Sequence, residues 1–159
     1  MQNVQRQSYH GDGFNRGQQR QGFSGGSYQE REEIPRPLKA EYQSRWIISS
    51  ADTALVDYAE KAGKFMAKKG LTNSKIRSIY GEIKRIQMSE FEKEKSSFVL
   101  LKPKVAYALG RDEKNEGLIL FKEIFDLSST NVTDQKSFQN FCNFMEAILA
   151  YHKAFGGKD

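Results

Sequence analysis

The residues best suited to chemistry in this chain are basic ones. Lys61, Lys64 and Lys68 recur at i, i+3 and i+7, so a helix through them carries a single positive stripe. Lys75, Arg77, Lys84 and Arg85 follow, and then Lys102, Lys104 and Arg111. Residues 61–85 hold eight basic side chains against one acid, Glu82, whereas residues 105–159 hold six basic and eight acidic ones. Such a cluster supports contact with a phosphate backbone, independent of base sequence and strongly dependent on salt. One exposed lysine or arginine is ordinarily only solvated; the argument rests on the group.

Nothing in the chain assembles a catalytic centre. His152 stands at the end of an apolar helix with no Ser or Cys nucleophile beside it, which fits a packing or capping residue better than a base. Cys142 falls on a dense apolar face and reads as an inert core thiol. Glu90, Glu92 and Glu94 alternate with Lys93 and Lys95, the pattern of a solvated, ion-paired helix start; two-metal chemistry wants carboxylates converging from several elements. One cysteine and two distant histidines cannot supply a zinc site. No glycine-rich phosphate loop follows a strand. No catalytic residue, metal or cofactor is expected.

The elements that must hold the basic residues are helices. Asp52 or Thr53 can cap a helix running to about Lys69, with Leu55, Tyr58, Ala59, Ala62, Phe65 and Met66 on one stripe and Gly70 at its end. Thr72 can cap a second, to about Met88, that buries Ile76, Ile79, Tyr80, Ile83 and Ile86. At about 100° per residue, Arg77, Gly81, Lys84 and Arg85 then point roughly away from that stripe. Gly81 inside a helix costs about 1 kcal/mol relative to Ala, and a small residue between basic ones lets a phosphate backbone come close. A third helical stretch covers about 90–110, closed by Gly110. It either kinks at Pro103 or restarts with Pro103 in the first turn of a new helix. If it lies alongside the second helix, Lys102, Lys104 and Arg111 extend the patch. A fourth helix spans about 116–128, Ser128–Thr133 form a polar turn, and Asp134 can cap a fifth to about Phe155. That last helix is apolar nearly all round, so it is buried by its neighbours or by another subunit. No run alternates with period two. The fold class is all-α, a compact bundle of about five helices.

Composition sets the surroundings. Of 159 residues, the first 33 hold seven Gln, six Gly and four Arg, with Val4 their only aliphatic side chain. Such a segment cannot bury enough apolar surface to offset its ordering entropy, so residues 1–37 are expected to form a disordered tail. Its interleaved Arg, Gly and aromatic residues are similar to RGG-type segments that bind single-stranded RNA. Residues 38–51 form a linker or docking segment, with Trp46, Ile47 and Ile48 as contacts, and 52–159 the helical domain. The net charge of +5 permits an anionic partner without demanding one. The lone cysteine suits a reducing compartment, and there is no apolar run of about 18 residues for a membrane span and no visible secretory signal. The expected setting is cytoplasmic.

Three segments carry a resemblance. They are Leu71-Thr72-Asn73-Ser74-Lys75-Ile76-Arg77-Ser78-Ile79-Tyr80-Gly81, Leu101-Lys102-Pro103-Lys104-Val105-Ala106-Tyr107-Ala108-Leu109-Gly110-Arg111, and Phe141 to Lys158 with Ala150-Tyr151-His152-Lys153. In order and spacing they resemble the small subunit of type III-A CRISPR effector complexes, the Csm complexes, over about 52–158. The resemblance implies a five-helix, non-catalytic structural subunit. Copies of it stack beside the backbone subunits and line the channel where guide RNA and target RNA pair, touching the target backbone without regard to sequence. Its implied partners are the guide and target RNA, the backbone and large subunits, and further copies of itself. The Gln/Gly/Arg-rich tail lies outside the pattern. The alternative is a free-standing helical protein that self-associates through its fifth helix and binds RNA through the tail.

Overall fold

The computed structural model describes residues 36–158, and within them the chain is helical with no strand. The elements are α1 (Arg36–Glu41), α2 (Arg45–Ile48), α3 (Thr53–Lys68), α4 (Asn73–Gln87), α5 (Phe91–Val99), α6 (Leu101–Gly110), α7 (Glu116–Ser129) and α8 (Gln135–Ala154). Of the expected tail over residues 1–37, residues 1–35 lie outside the described residues, while Arg36 and Pro37 open α1. The all-α expectation holds, and the five long helical stretches appear where the apolar periodicity places them.

The third stretch resolves its own alternative. Leu100 separates α5 from α6, and α6 restarts at Leu101 with Pro103 in its first turn. There the missing proline N–H removes no intrahelical bond. Two local expectations need correction. Thr72 sits at the N-cap of α4 with extended backbone, but its hydroxyl meets Ser74 Oγ at 3.0 Å and makes no cap bond. Ser128 does not begin a turn: α7 continues through Ser129, and the buried Ser128 hydroxyl donates to the Ile124 carbonyl one turn back, at 2.7 Å. That back-bond satisfies a polar group that periodicity alone would have sent to a loop.

Helix α8 is the axis of the bundle. Phe138, Phe141, Cys142, Phe144, Met145, Ile148 and His152 are all buried along it, under α2, α3, α4 and α5. Neighbours within the chain thus cover most of its apolar surface, with Leu149 and Tyr151 left half-buried. The start of α8 is fixed by a capping box: Asp134 accepts from Ser137 N at 2.7 Å, and Ser137 Oγ accepts from Asp134 N at 3.0 Å.

Helix α3 comes backbone-to-backbone with α8 at Gly63. A Cβ there would stand 2.6 Å from His152 N and 2.7 Å from the Ile148 carbonyl oxygen. The absent side chain lets the two backbones meet. The start of α7 presses on the last turn of α3 in the same manner: a Cβ on Gly117 would lie 2.7 Å from Met66 O. Asn115 stitches that contact, accepting from Leu118 N at 2.9 Å and donating to the Gly70 carbonyl at 2.8 Å.

Two aromatic clusters fill the ends of the core. Phe91, Phe98, Phe138 and Phe141 join α5 to α8, with Phe91 and Phe138 stacked at 5.0 Å. Trp46, Tyr58 and Phe144 pack α2 and α3 onto α8, Trp46 lying 5.1 Å from Tyr58 and 5.9 Å from Phe144. Full burial of one such ring stabilises by about 1.5–3 kcal/mol. Asp52 ties this cluster to a helix start, because Oδ1 accepts both from Trp46 Nε1 and from Leu55 N, each at 2.9 Å. Trp46 and Ile47 are buried, whereas Ile48 is exposed.

Candidate nucleic-acid interface

Burying the Ile76, Ile79, Ile83 and Ile86 stripe of α4 leaves two flanks of that helix facing outward. Residues 74, 78, 81 and 85 share one flank, and 73, 77, 80 and 84 share the other. The sequence reading grouped Arg77, Gly81, Lys84 and Arg85 together. The structure separates them, because 77 and 84 lie within about 20° of one another around the helix while 81 and 85 are turned about 40–100° further.

The first flank faces α6 across a groove of about 950 Å³. Ser74, Ser78 and Gly81 line it from α4, and Pro103, Lys104, Tyr107 and Arg111 line it from α6. Lys75 and Asp112 close one end as an ion pair. That contact, first among its causes, holds the Asp112 carboxyl below the usual carboxylate range. Glu82 stands on the α4 wall and bridges two cations, Arg85 at 3.2 Å and Lys104 at 3.9 Å. Arg85 also reaches Glu94 at 3.0 Å, and this bond, ahead of the one to Glu82, raises the guanidinium above its ordinary value. The groove therefore brings Lys75, Lys104 and Arg111 together, with Arg85 next to them. A Cβ added to Gly81 would meet nothing within 4 Å, so the groove is open there.

The other flank of α4 faces α8. Arg77 and Tyr80 line a smaller hollow of about 430 Å³ with Glu146, Leu149 and Lys153. Lys84 donates to Glu146 at 2.8 Å and lies over the Tyr80 ring at 5.5 Å. The Glu146 bond is the main reason its ammonium is held above the ordinary lysine value. Lys153 was missed as a member of this hollow, since its place becomes visible only once α8 is set against α4.

The remaining candidates lie elsewhere. Lys61 pairs with Glu41 at 2.8 Å, Lys64 covers the Phe155 ring at 5.3 Å, and Lys68 is exposed at the end of α3. Lys102 donates to Thr130 Oγ1 at 3.2 Å. None of these four lines either groove. Basic residues that sequence reasoning singled out as one field thus occupy several faces, and many are countered by carboxylates. Exposed pairs of this kind are weak, and a polyanion can exchange with their carboxylates.

The buried polar residues are structural. His152 Nε2 lies 2.7 Å from the Leu71 carbonyl, and the ring packs against Gly157. Burial pushes the Cys142 thiol up to about 12, so it stays protonated at neutral pH. Among the described residues no group of three His, Cys, Asp or Glu side chains could hold a metal ion. No helix among them is long and apolar enough to cross a membrane.

Residues 49–158 match the family model described as Csm2 Type III-A. The chain belongs to the Csm2 family. It is similar to the protein from Streptococcus thermophilus named CRISPR system Cms protein Csm2, with 33% identity over 120 residues, covering 68% of this chain and 96% of that one. No solved structure matches the chain significantly. Family membership makes the chain a small, structural subunit of the type III-A CRISPR complex, and the matched span takes in α3 to α8 and both grooves.

Proposed function

We propose that this Csm2-family chain lines the channel in which guide and target RNA pair and touches the target backbone without reading its sequence. In this role it performs no catalysis. The α4–α6 groove carries the proposal: it gathers Lys75, Lys104 and Arg111 around an open floor at Gly81, and Arg85 flanks them. Phosphate oxygens replace Asp112 and Glu82 as partners of these cations, and the serine hydroxyls of the α4 wall offer neutral hydrogen bonds. Arg77 and Lys84 supply a second, smaller contact on the α8 side. Lys61, Lys64, Lys68 and Lys102 sit where a neighbouring backbone subunit, the large subunit or a further copy of this chain can meet them.

The test is RNA binding by the full chain over a salt series, with single strands of unrelated sequence. Affinity is expected to be insensitive to sequence. Changing Lys75, Lys104 and Arg111 together to Ala should reduce the slope of log K against log salt by about 2, since each phosphate contact on a single strand contributes about 0.7. The opposite result, in which that triple variant binds unchanged while deletion of residues 1–33 abolishes binding, would favour a tail-driven RNA-binding protein.

A further inference from the structure

Tyr107 is 68% exposed, although large aromatic rings normally find cover. The other exposed aromatic among the described residues, Phe155, differs: it stacks on Tyr151, lies beneath Lys64 and is only 37% exposed. Tyr107 has no aromatic neighbour of its own among the described rings. It stands on the α6 wall of the basic groove, one turn beyond Pro103 and one turn before Arg111, whose guanidinium carbon lies 5.9 Å from the ring centroid. Across the groove the wall is small and polar, made by Ser74, Ser78 and Gly81. A volume of about 950 Å³ is at the upper end of small-ligand sites.

We propose that Tyr107, with Arg111, is a stacking platform for an unpaired nucleobase of RNA, held while neighbouring phosphates engage Lys75 and Lys104. This deepens the backbone-contact reading and rests on it. An aromatic ring beside a guanidinium in a positive groove is the physical pattern of single-strand binding, because every base has a π-face and stacking tolerates any sequence. A base stacked inside a duplex has both faces covered by its neighbours and cannot present one. The platform therefore adds a preference for unpaired over duplex RNA that cationic contacts alone do not provide.

The test uses the full chain and two probes of equal length: a single-stranded oligoribonucleotide, and an oligomer of abasic ribose phosphates. Tyr107→Ala is expected to weaken binding of the first by about 5- to 100-fold. It should leave the salt slope and the affinity for the abasic oligomer unchanged. Tyr107→Phe should bind like the parent chain, since the flat ring is retained. The side chain is exposed, so a far-ultraviolet circular dichroism spectrum is expected to be identical for all three proteins. If Tyr107→Ala binds the oligoribonucleotide as tightly as the parent chain while the Lys75, Lys104 and Arg111 triple variant loses binding, the platform is overturned and the backbone reading stands. If neither variant alters binding, both readings fall.

Discussion

His152 Nε2 donates to the carbonyl oxygen of Leu71 across 2.7 Å, joining the last turn of α8 to the connection between α3 and α4. Both residues are buried, so the bond has no water to replace it. His152→Leu should leave the Leu71 carbonyl unsatisfied and lower unfolding free energy by about 1–3 kcal/mol. Urea unfolding of the variant and the parent chain checks this, with an unchanged m-value expected.

Gly63 and Gly81 should respond oppositely to the same substitution. Gly63→Ala places a Cβ against the backbone of His152 and Ile148, atoms that cannot swing aside. A loss of about 1–3 kcal/mol is expected, read as a lowered thermal midpoint.

Gly81→Ala meets open space in a helix interior, so stability should rise by about 1 kcal/mol. The added methyl narrows the floor of the α4–α6 groove, and RNA affinity should fall as the thermal midpoint rises. Measuring both on one preparation separates the fold from the function.

Asp134 links stability to pH. Its carboxylate accepts from Ser137, first from the backbone N–H and then from the hydroxyl, and these bonds hold its folded-state pKa below the ordinary aspartate value. A depressed carboxyl contributes stability above the unfolded pKa and loses it as pH falls through the folded one. Asp134→Ala should lower the thermal midpoint by a few degrees at neutral pH, and the gap should close as the solution is acidified through that range. Scanning calorimetry from neutral to acid pH is the measurement.

Cys142 should resist alkylation at neutral pH in the native protein, because burial keeps its thiol protonated and shielded. Iodoacetamide labelling followed by mass spectrometry should show slow modification without denaturant and rapid modification in urea. Fast native labelling would place the residue outside the core.

Much of the helical order was legible because periodicity is local. The isoleucines of α4 and the leucine and aromatic residues of α3 and α7 mark their faces without reference to the rest of the chain. The break at Leu100 was legible only as one of two options, since Pro103 is compatible with a kink or a fresh start. α1 and α2 were not legible as helices: six and four residues are too few to show a period, and α2 is held by Trp46 and Asp52. The site was harder to read. Glu41, Asp112 and Glu146 lie 20, 37 and 62 residues from the lysines they pair with, so no local pattern could reveal which charges are countered. Tyr107 was noticed within its segment, but its place in a groove depends on how α6 lies against α4.

Gly117 carries a consequence for how this chain can vary over evolution. Its neighbour across the contact is the Met66 carbonyl, part of the α3 backbone, and no rotamer change can make room there. Solvent-facing positions around it meet no such backbone barrier. Position 117, with position 63 at the other contact of α3, should stay fixed as the chain varies. An invariant glycine pair in an alignment would then record the spacing of three helices, with no bearing on the RNA.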